Sequence, residues 1–521
     1  MHDLVAVPLL AFVASLFFIP MVRALSVRLN IVDKPDAHRK MHERVIPLGG
    51  GLGVLAAMLL AIGAASILPN SVRDQLQGER EELLWLLFAA VVLCGVGIVD
   101  DKRALRGSHK LAGQIVAVLI AVFGGLVVER ISFFGYSIAL GPLAIPFTVV
   151  WMIAAINALN LIDGVDGLAT SVGIILCSAL ACMAFYHQHG GDAALALAMV
   201  GALFGFLYFN FPPATIFLGD TGSMLIGFIA GALALRSSSV DPSNISLVIV
   251  LSVWSIPLFD TGVAFMRRKL TGRSIYSTDR GHLHHCLLRI HQTPARAVAW
   301  IATLCALTTG GALVSVYLGQ ELFALLTVVV VIAALVSTGV FGHAEFMLLV
   351  THGRNFLTSV FKPISKPAAN SKRINIQLQG SRNWEEIWDQ LQHSAELLEF
   401  NSVKLDVNLP ALHEGYHGAW HRTDKRIVQE ECWMTVVPIV VNGRAIGRLE
   451  ISGTRRPQAS VYGRMGQLAD LLESIESRIL DMMKDMPVAA TDGRVHISDS
   501  PQRQLSQKVR LTGFWPIDAG S

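Results

Sequence analysis

The sequence predicts a polytopic all-α membrane protein that carries a small α+β domain near its C-terminal end. Of its 521 residues, 53% are hydrophobic and only 16% are charged, and the mean hydropathy of +0.52 is above that of soluble proteins. Apolar windows of about 17–22 residues recur along the first two-thirds of the chain, the length needed to cross about 30 Å of hydrocarbon. After about residue 345 the composition changes to a polar linker and strand-like alternation.

About eleven transmembrane helices are predicted from these windows. The first apolar run lacks a basic leader and a small-residue cleavage site, so we interpret it as a retained span. The predicted spans are 4–25, 48–68, 83–99, 111–128, 142–158, 168–187, 192–209, 222–238, 245–265, 296–317 and 320–341.

The charges of the connecting loops predict the orientation. Lysine and arginine are concentrated within 28–44, 102–110 and 267–280, which follow the first, third and ninth spans. The positive-inside rule assigns these loops to the cytoplasm, with the N-terminus outside and the C-terminal domain in the cytoplasm. A net charge of only +3 gives no reason to expect a nucleic-acid partner.

Acidic and histidine residues follow the same crossings. Asp100 and Asp101 follow the third span, the motif NALNLIDGVDGL follows the fifth, Asp220 follows the seventh, and three histidines within 282–285 follow the ninth. A carboxylate at the centre of a membrane helix costs about 2.5–3.5 kcal/mol, so such residues usually have a function. Four polar clusters on one face predict a single cytoplasmic site.

The two acidic clusters allow functional and structural interpretations. Asp100 and Asp101 repel each other, which suits a proton acceptor or a cation ligand, but a solvated helix end has the same pattern. In FLGDTGS, Asp220 suits a Mg²⁺ ion that bridges to phosphate, because the flanking glycines permit close approach of the backbone. The alternative is that Asp220 is a helix N-cap.

The histidine segment DRGHLHH suits an anionic ligand. His282, His284 and His285 lie beside Arg280, and imidazole and guanidinium groups are donors to a pyrophosphate. Zinc is a rival, but this spacing without a nearby Cys or acid is poor for tetrahedral ligation. Surface histidines without a role are the remaining alternative. The basic segment around Lys40 could also close over an anionic substrate.

Six motifs in order resemble a known family. They are DKPDAHRKMH–IPLGG, GIVDD–K, NALNLIDGVDGLA, FLGDTGS, PLFDT and DRGHLHH. Together they resemble the polyprenyl-phosphate N-acetylhexosamine-1-phosphate transferase superfamily over about residues 1–345. The resemblance is closer to the bacterial branch that starts O-antigen, enterobacterial common antigen and teichoic acid synthesis than to phospho-MurNAc-pentapeptide translocase.

The resemblance implies a reaction. Undecaprenyl phosphate would attack the sugar-bearing phosphorus of a UDP-N-acetylhexosamine, with GlcNAc as the default sugar, and UMP would leave. The implied cofactor is Mg²⁺, with Mn²⁺ as an alternative, and the implied location is the bacterial inner membrane. A two-step route through an aspartyl-phosphate competes with direct attack, and we favour direct attack because a lipid phosphate is already mostly ionised at neutral pH.

The resemblance also implies roles for individual residues. Asp220 would bind Mg²⁺ with Asn160 as a second ligand, and Asp101 or Asp100 would accept the proton of the lipid phosphate or hold that phosphate in line. The other implied contacts are Asp163 and Asp166 to the nucleotide, His282, His284, His285 and Arg280 to the pyrophosphate and sugar, and Lys110 and Lys40 as the basic surround.

The C-terminal part departs from the family pattern. We predict a transferase domain at 1–345, a linker at 346–372, an α+β domain at 373–486 and a disordered tail at 487–521. Asn442-Gly443 is typical of a type I′ hairpin turn. A regulatory ligand, docking of the next glycosyltransferase and an inert appendage are all open roles for this domain, and a homodimer is open for the whole chain. The rival function is a transporter of ions or sugars, which predicts acids in mid-span and related halves.

Overall fold

The computed structural model describes most of the N-terminal two-thirds of the chain and part of the C-terminal domain. The described residues are 2–33, 45–68, 71–241, 243–270, 281–291, 293–343, 346, 383–398, 400–409, 414–422, 432–441 and 444–454. Two predicted site residues, Lys40 and Arg280, lie outside them. So do 373–379, where the alternation RINIQLQ predicts a strand, and 461–479, where apolar residues at a spacing of three to four predict an amphipathic helix.

Helices dominate the N-terminal part. They are α1 His2–Arg28, α2 Gly50–Ile67, α3 Ser71–Gly78, α4 Arg80–Arg103, α5 Gly107–Phe123, α6 Ala144–Ile162, α7 Leu168–Tyr186, α8 Gly190–Asn210, α9 Gly219–Ser237, α10 Leu247–Val253, α11 Ser255–Leu270, α12 Leu283–His291, α13 Pro294–Leu318 and α14 Leu322–Ser337. A short 3₁₀ turn, Gly141–Leu143, leads into α6.

Within the described part of the chain, seven helices are long and apolar enough to cross a membrane, or eight if the bent pair α10–α11 is one span. All eleven predicted segments are helical, so the mostly helical membrane fold is confirmed. The number eleven is not confirmed, because α5 and α14 are shorter apolar helices than the seven candidates and α9 is not among those candidates. The seven are formed by α1, α2, α4, α6 with its 3₁₀ turn, α7, α8 and α13.

The span predicted at 245–265 is formed by two helices that meet at a sharp bend. The chain bends by 79° between α10 and α11, where Trp254 separates the two helices. Pro257 lies four residues after Val253, and the ring of a proline clashes with the carbonyl group four residues earlier. The proline in SIPLFD was therefore the sequence signal for this bend.

Helix α9 lies at the centre of the bundle and packs on α2, α4, α6 and α7. Every residue from Thr221 to Ser237 is buried. Glycines make this packing possible, because a Cβ at Gly97 of α4 would collide with the backbone of Thr221 and one at Gly51 of α2 with that of Gly222. Small residues of this kind let membrane helices approach closely.

Short strands lie in the loops of this bundle. β1 Val32–Asp33 pairs antiparallel with β2 Ile46–Pro47. β3 Arg130–Phe133 and β4 Tyr136–Ala139 form a hairpin, which the alternating sequence RISFFGYSIALGP around Gly135 predicts. Gly135 has a φ of +81° at the turn. A third strand, β5 Asn244–Ser246, adds parallel to β3.

A buried ion cluster joins three helices at the end of α9 that is remote from Asp220. The Arg236 guanidinium donates to Asp192 of α8 over 2.7 Å and to Glu79, next to α4, over 3.0 Å, and it also pairs with Glu82. Because a buried charge without a partner is strongly destabilising, these pairs fix α9 against α4 and α8 at this end.

The described C-terminal residues form an α+β arrangement. α15 Asn383–Leu397 packs on two strands of a four-stranded antiparallel sheet. The strands are β6 Ser402–Leu409, β7 Glu414–His421, β8 Cys432–Val441 and β9 Arg444–Thr454, in the order β7-β6-β9-β8. β8 and β9 pair antiparallel from Val441 and Arg444 onwards, as expected on either side of an Asn-Gly turn.

The close crossing of α4 and α9 makes a prediction about stability. Gly97→Ala should lower the unfolding free energy by about 1–3 kcal/mol, because the added methyl group overpacks the crossing. Thermal unfolding of the purified protein in detergent measures this change. Gly95→Ala is the matched control, since a Cβ at Gly95 meets no atom within 4 Å. Equal transition temperatures for the two variants would contradict the packing account.

Candidate active site

The ammonium group of Lys110 joins four helices at one end of the bundle. Its Nζ lies 2.7 Å from Oδ1 of Asp220 in the first turn of α9 and 2.9 Å from Oδ2 of Asp100 near the end of α4. It also donates to Oδ1 of Asn160, on the last turn of α6, over 3.0 Å. Lys110 itself lies in the first turn of α5. Residues predicted from separate motifs are therefore in direct contact.

Asn160 connects the carboxylate of Asp220 to the first turn of α9. Its amide donates to Oδ1 of Asp220 and, over 2.9 Å, to the hydroxyl of Ser223. Ser223 in turn donates to the carbonyl of Gly219 over 3.1 Å. Asp220 does not cap its own helix, since its Oδ1 accepts from Lys110 and Asn160. The N-cap interpretation of Asp220 is wrong.

Asp101, rather than Asp220, caps α9. Its Oδ1 accepts from the backbone N–H of Asp220 over 2.7 Å, and its Oδ2 accepts from the hydroxyl and the N–H of Thr221 over 2.7 and 3.3 Å. Gly219 has a φ of +73°, and a Cβ there would lie only 2.6 Å from the Asp101 carboxylate. A carboxylate at a helix N-terminus satisfies unpaired N–H groups and interacts favourably with the helix dipole.

The carboxylate of Asp100 is also engaged. Its Oδ1 accepts from the backbone N–H of Leu105 over 2.7 Å, which closes the turn after α4, and its Oδ2 pairs with Lys110. The side chain is buried, with 6% exposed. The adjacent aspartates thus have separate surroundings: Asp100 faces Lys110, and Asp101 faces the N-terminus of α9.

Asp163 and Asp166 lie in the turn between α6 and α7. Burial, followed by the negative charges of Asp220, Asp101 and Asp166, raises the pKa of Asp163 to about 8. Oδ2 of Asp166 accepts from the backbone N–H of Ala214, so this residue holds the turn against the loop that precedes α9. The site therefore carries more carboxylates than Lys110 alone can neutralise.

The histidine segment reaches the same turn. The rings of His282 and His284 are stacked, with centroids 5.7 Å apart and an interplanar angle of 6°, and the rings of His284 and His285 lie 4.2 Å apart. A Cβ at Gly164, next to Asp163, would collide with the His284 ring. The motifs DRGHLHH and NALNLIDGVDGL are therefore in contact in the described part of the chain.

Several side chains of this region were not predicted. Asn157, which had no predicted role, exchanges hydrogen bonds with the buried Gln114, over 2.9 and 3.4 Å. Gln114 lies one helical turn after Lys110, and Asn157 about one turn before Asn160, so this pair fixes α5 against α6 directly behind the site. A polar residue inside an apolar helix was the available signal for Gln114.

Arg267 and Arg268 of α11 are buried as well, at 4% and 7% exposure. A Cβ at Gly281 would collide with the Arg267 guanidinium, which places this positive charge beside the histidine segment. The sequence indicated these arginines only as topology signals, because a basic loop at a span end has the same composition.

The oxygen ligands of this site suit a hard cation whose coordination shell is completed by the substrate. Within the described ranges, no three His, Cys, Asp or Glu side chains form a ready metal site. Mg²⁺ does not require one, since it is usually held by one or two carboxylates together with waters and substrate phosphates. Asp220 and Asn160 supply oxygen ligands of that kind, and they already surround the positive charge of Lys110.

Comparison with known proteins identifies the family of this chain. Residues 83–238 match the family model described as glycosyl transferase family 4. The chain is 32% identical over 284 residues to a probable undecaprenyl-phosphate N-acetylglucosaminyl 1-phosphate transferase of Bacillus subtilis, covering 53% of this chain and 76% of that protein.

Two further relatives have related names. A decaprenyl-phosphate N-acetylglucosaminephosphotransferase of Mycobacterium tuberculosis is 31% identical over 364 residues, covering 65% of this chain and 88% of the relative. An undecaprenyl-phosphate alpha-N-acetylglucosaminyl 1-phosphate transferase of Salmonella typhi is 30% identical over 307 residues, covering 57% and 80%. The chain therefore belongs to the polyprenyl-phosphate N-acetylhexosamine-1-phosphate transferase superfamily, in its bacterial branch, and is a membrane phosphotransferase.

Proposed function

We propose that this protein transfers N-acetylhexosamine-1-phosphate, by default GlcNAc-1-phosphate, from a UDP-sugar to undecaprenyl phosphate. The products are UMP and a lipid-pyrophosphate-sugar for cell-surface polysaccharides such as O-antigen. The observation that carries the proposal is the contact of Lys110 with Asp100, Asp220 and Asn160 at one end of the bundle. The names of the relatives support the lipid acceptor and the sugar.

The reaction exchanges one phosphoanhydride for another. An oxygen of the lipid phosphate forms a bond to the sugar-bearing phosphorus, and the bond between that phosphorus and the oxygen of UMP breaks. Catalysis of phosphoryl transfer depends mainly on positioning and on neutralisation of charge. In our proposal Asp163 and Asp166 line the nucleotide pocket, while His282, His284 and His285 donate to the pyrophosphate and sugar.

Asp220 and Asn160 would hold a Mg²⁺ ion, with Mn²⁺ as an alternative. When bound, the ion would supply positive charge that neutralises the phosphates during transfer. The ammonium group of Lys110 contacts Asp220 and Asn160 as well as Asp100, so it keeps the two carboxylates close together. It would also add positive charge next to the phosphates. Lys40 and Arg280 would add further positive charge around the phosphates.

Direct attack by the lipid phosphate is the route that the geometry supports better. Both oxygens of Asp101 accept hydrogen bonds that hold the start of α9, so an attack by Asp101 on phosphorus would require these bonds to break. Asp100 lies beside Lys110, where it can receive a proton or hold the lipid phosphate in line. We therefore place Asp100 nearer to the reaction than Asp101.

The setting of the reaction is part of the proposal. We propose eleven spans in the bacterial inner membrane, in which α5, α9, α14 and the bent α10–α11 pair are counted as crossings in addition to the seven candidate helices. The N-terminus would be outside, and the site and the C-terminal domain at 373–486 would be cytoplasmic. A regulatory ligand or the next glycosyltransferase would bind that domain.

The function is tested by incubating the purified protein with undecaprenyl phosphate, Mg²⁺ and either UDP-GlcNAc or UDP-GalNAc. The release of UMP from the UDP-sugar is then measured. Asp220→Asn should lower kcat at least about 100-fold, since it removes a charged ligand that acts on phosphate in the transition state. Asp241→Asn, the same change in an exposed loop beyond the far end of α9, should keep full activity. The assignment would be refuted if neither UDP-sugar yielded UMP, or if Asp220→Asn kept full activity.

Lys110→Met tests the central cation. The change removes the charge but keeps most of the length of the side chain, which leaves Asp100 and Asp220 without the counter-ion that lies between them. We expect kcat to fall at least about 100-fold and the thermal transition to move down, since an uncompensated buried charge is costly. Lys102→Met, at an exposed position at the end of α4, is the matched control. Equal kcat values for the two variants would contradict the role of Lys110.

The raised pKa of Asp163 predicts how stability depends on pH. A carboxyl group whose pKa in the folded state is about 8 destabilises the fold as it ionises, progressively from its ordinary pKa up to about pH 8. Asp163→Asn cannot ionise, so its stability relative to wild type should rise from about pH 4 to about pH 8 and then level off. Thermal unfolding in the presence of a chelator measures the difference in stability between the variant and wild type. Added Mg²⁺ should make this difference smaller. If stability changed with pH in the same way in both proteins, the pKa of Asp163 would not be raised in the folded state.

A further inference from the structure

The β3–β4 hairpin has no role in the proposed reaction. It connects the end of α5 to the beginning of α6. Because α5 begins with the turn of Lys110 and α6 ends with the turn of Asn160, the hairpin lies at the opposite end of the bundle from the candidate active site. Every residue of β4 is exposed. The hairpin can therefore have a function that is separate from catalysis.

The two faces of the hairpin differ in polarity. Residues that lie directly opposite each other on neighbouring strands have their side chains on the same face of the sheet. The register of β3 with β4 puts apolar and aromatic side chains on one face, which we call the apolar face: Ile131, Phe133, Tyr136 and Ile138. The opposite face carries mainly polar side chains: Arg130, Ser132, Ser137 and Ala139. The hairpin is therefore amphipathic.

The apolar face continues outwards from the core of the bundle. β5 lies beside β3 on the side away from β4, and Ile245 of β5 is opposite Ile131. Ile245 is fully buried in the core and Ile131 is half-buried against it, whereas Ile138 on β4 is 63% exposed. Neighbouring strands are about 4.8 Å apart. The side of the sheet that packs on the bundle is therefore the same side that is apolar where the sheet extends to the surface.

The tip of the hairpin is held in a specific conformation. Phe134 has a φ of +46°, in the left-handed region that a bulky side chain rarely adopts. Oε2 of Glu321, between α13 and α14, accepts from the N–H of Phe134 over 2.6 Å, and its Oε1 accepts from the Ser246 hydroxyl over 2.6 Å. The rings of Phe133 and Phe134 pack edge to face, 4.7 Å apart. Glu321 thus stabilises a strained turn that presents two aromatic rings at the surface.

We propose that the apolar face of the hairpin lies in the interfacial layer of the membrane and contacts the lipid around the bundle. Aromatic side chains are concentrated at this level of membrane proteins. Tyr136 of the apolar face is 78% exposed. Tyr317, four residues before Glu321, is also exposed, and its ring lies 6.2 Å from that of the exposed Tyr186 at the end of α7. The hairpin extends this aromatic group. The inference rests on the membrane fold and is independent of the proposed reaction.

A second copy of the chain is the rival occupant of the apolar face, since exposed apolar patches often mark protein interfaces. Continuity with the membrane-spanning surface favours lipid. Leu143 and Ile145, which follow β4 at the beginning of α6, are exposed, and α6 is a candidate membrane span. The lipid that covers exposed apolar side chains of such a span is therefore adjacent to the hairpin.

The test places a fluorescent amino acid in the full chain at the position of Ile138, on the apolar face, or of Ser137, on the polar face. Each variant is reconstituted into vesicles of phosphatidylcholine and phosphatidylglycerol. Two quenchers are compared: lipid that is brominated near the headgroup end of its acyl chains, and iodide in the water on both sides of the vesicle membrane.

The brominated lipid should quench the label at 138 at least about threefold more than the label at 137, because an interfacial apolar surface reaches the boundary between headgroups and acyl chains. Iodide should give the opposite order. The matched label at 137 controls for the effect of the fluorescent group itself, and both variants should unfold at the temperature of wild type. If the label at 138 prevents folding, the position of Tyr136 on the same face replaces it.

Two results would overturn the inference. If iodide quenches the label at 138 as strongly as the label at 137, the apolar face lies in water. If neither quencher reaches position 138, a protein surface covers the face, as a second copy of the chain would. Neither result depends on UMP release, so a failure of this inference is distinct from a failure of the proposed function.

Discussion

The contact of Lys110 with two carboxylates is the interaction on which the site depends. Asp100 and Asp220 come from different helices and would repel each other across the low-dielectric end of the bundle. The ammonium of Lys110 lies 2.9 and 2.7 Å from them and holds both, together with Asn160. Because breaking a buried ion pair costs about 3–5 kcal/mol, this cation fixes the ends of α4, α5, α6 and α9 relative to one another.

Helix α9 is held by charges at both of its ends. Asp101 of α4 caps its first turn, and Glu79 and Glu82, at the beginning of α4, pair with Arg236 in its last turn. Glycines let α4 and α9 approach closely between these two contacts. The ligand that we propose for Asp220 would therefore be held by a helix that can neither slide nor rotate readily, which is the rigidity that positioning of phosphates requires.

The sequence predicted the residue types of the site better than their partners. Each acid follows an apolar segment, so their position at one end of the bundle follows from topology. The pairs themselves join residues far apart in the chain: Lys110 and Asp220 are 110 residues apart, and Asp101 and Asp220 are 119. Only packing decides which of two adjacent aspartates faces Lys110 and which caps α9. The hydrogen bond between Asp260 of α11 and Nδ1 of His282, over 2.9 Å, could not be predicted for the same reason, since the bend at Pro257 sets the direction of α11.

The central claim is that the sugar donor binds between Asp220 and the histidine segment. The most direct measurement is an experimental structure of the full chain with Mg²⁺ and UDP-GlcNAc. The account predicts the diphosphate between Asp220 and His282, with the uridine next to Asp163 and Asp166. A nucleotide bound elsewhere, for example on the sheet of β6 to β9, with the Lys110 contacts unchanged, would contradict it.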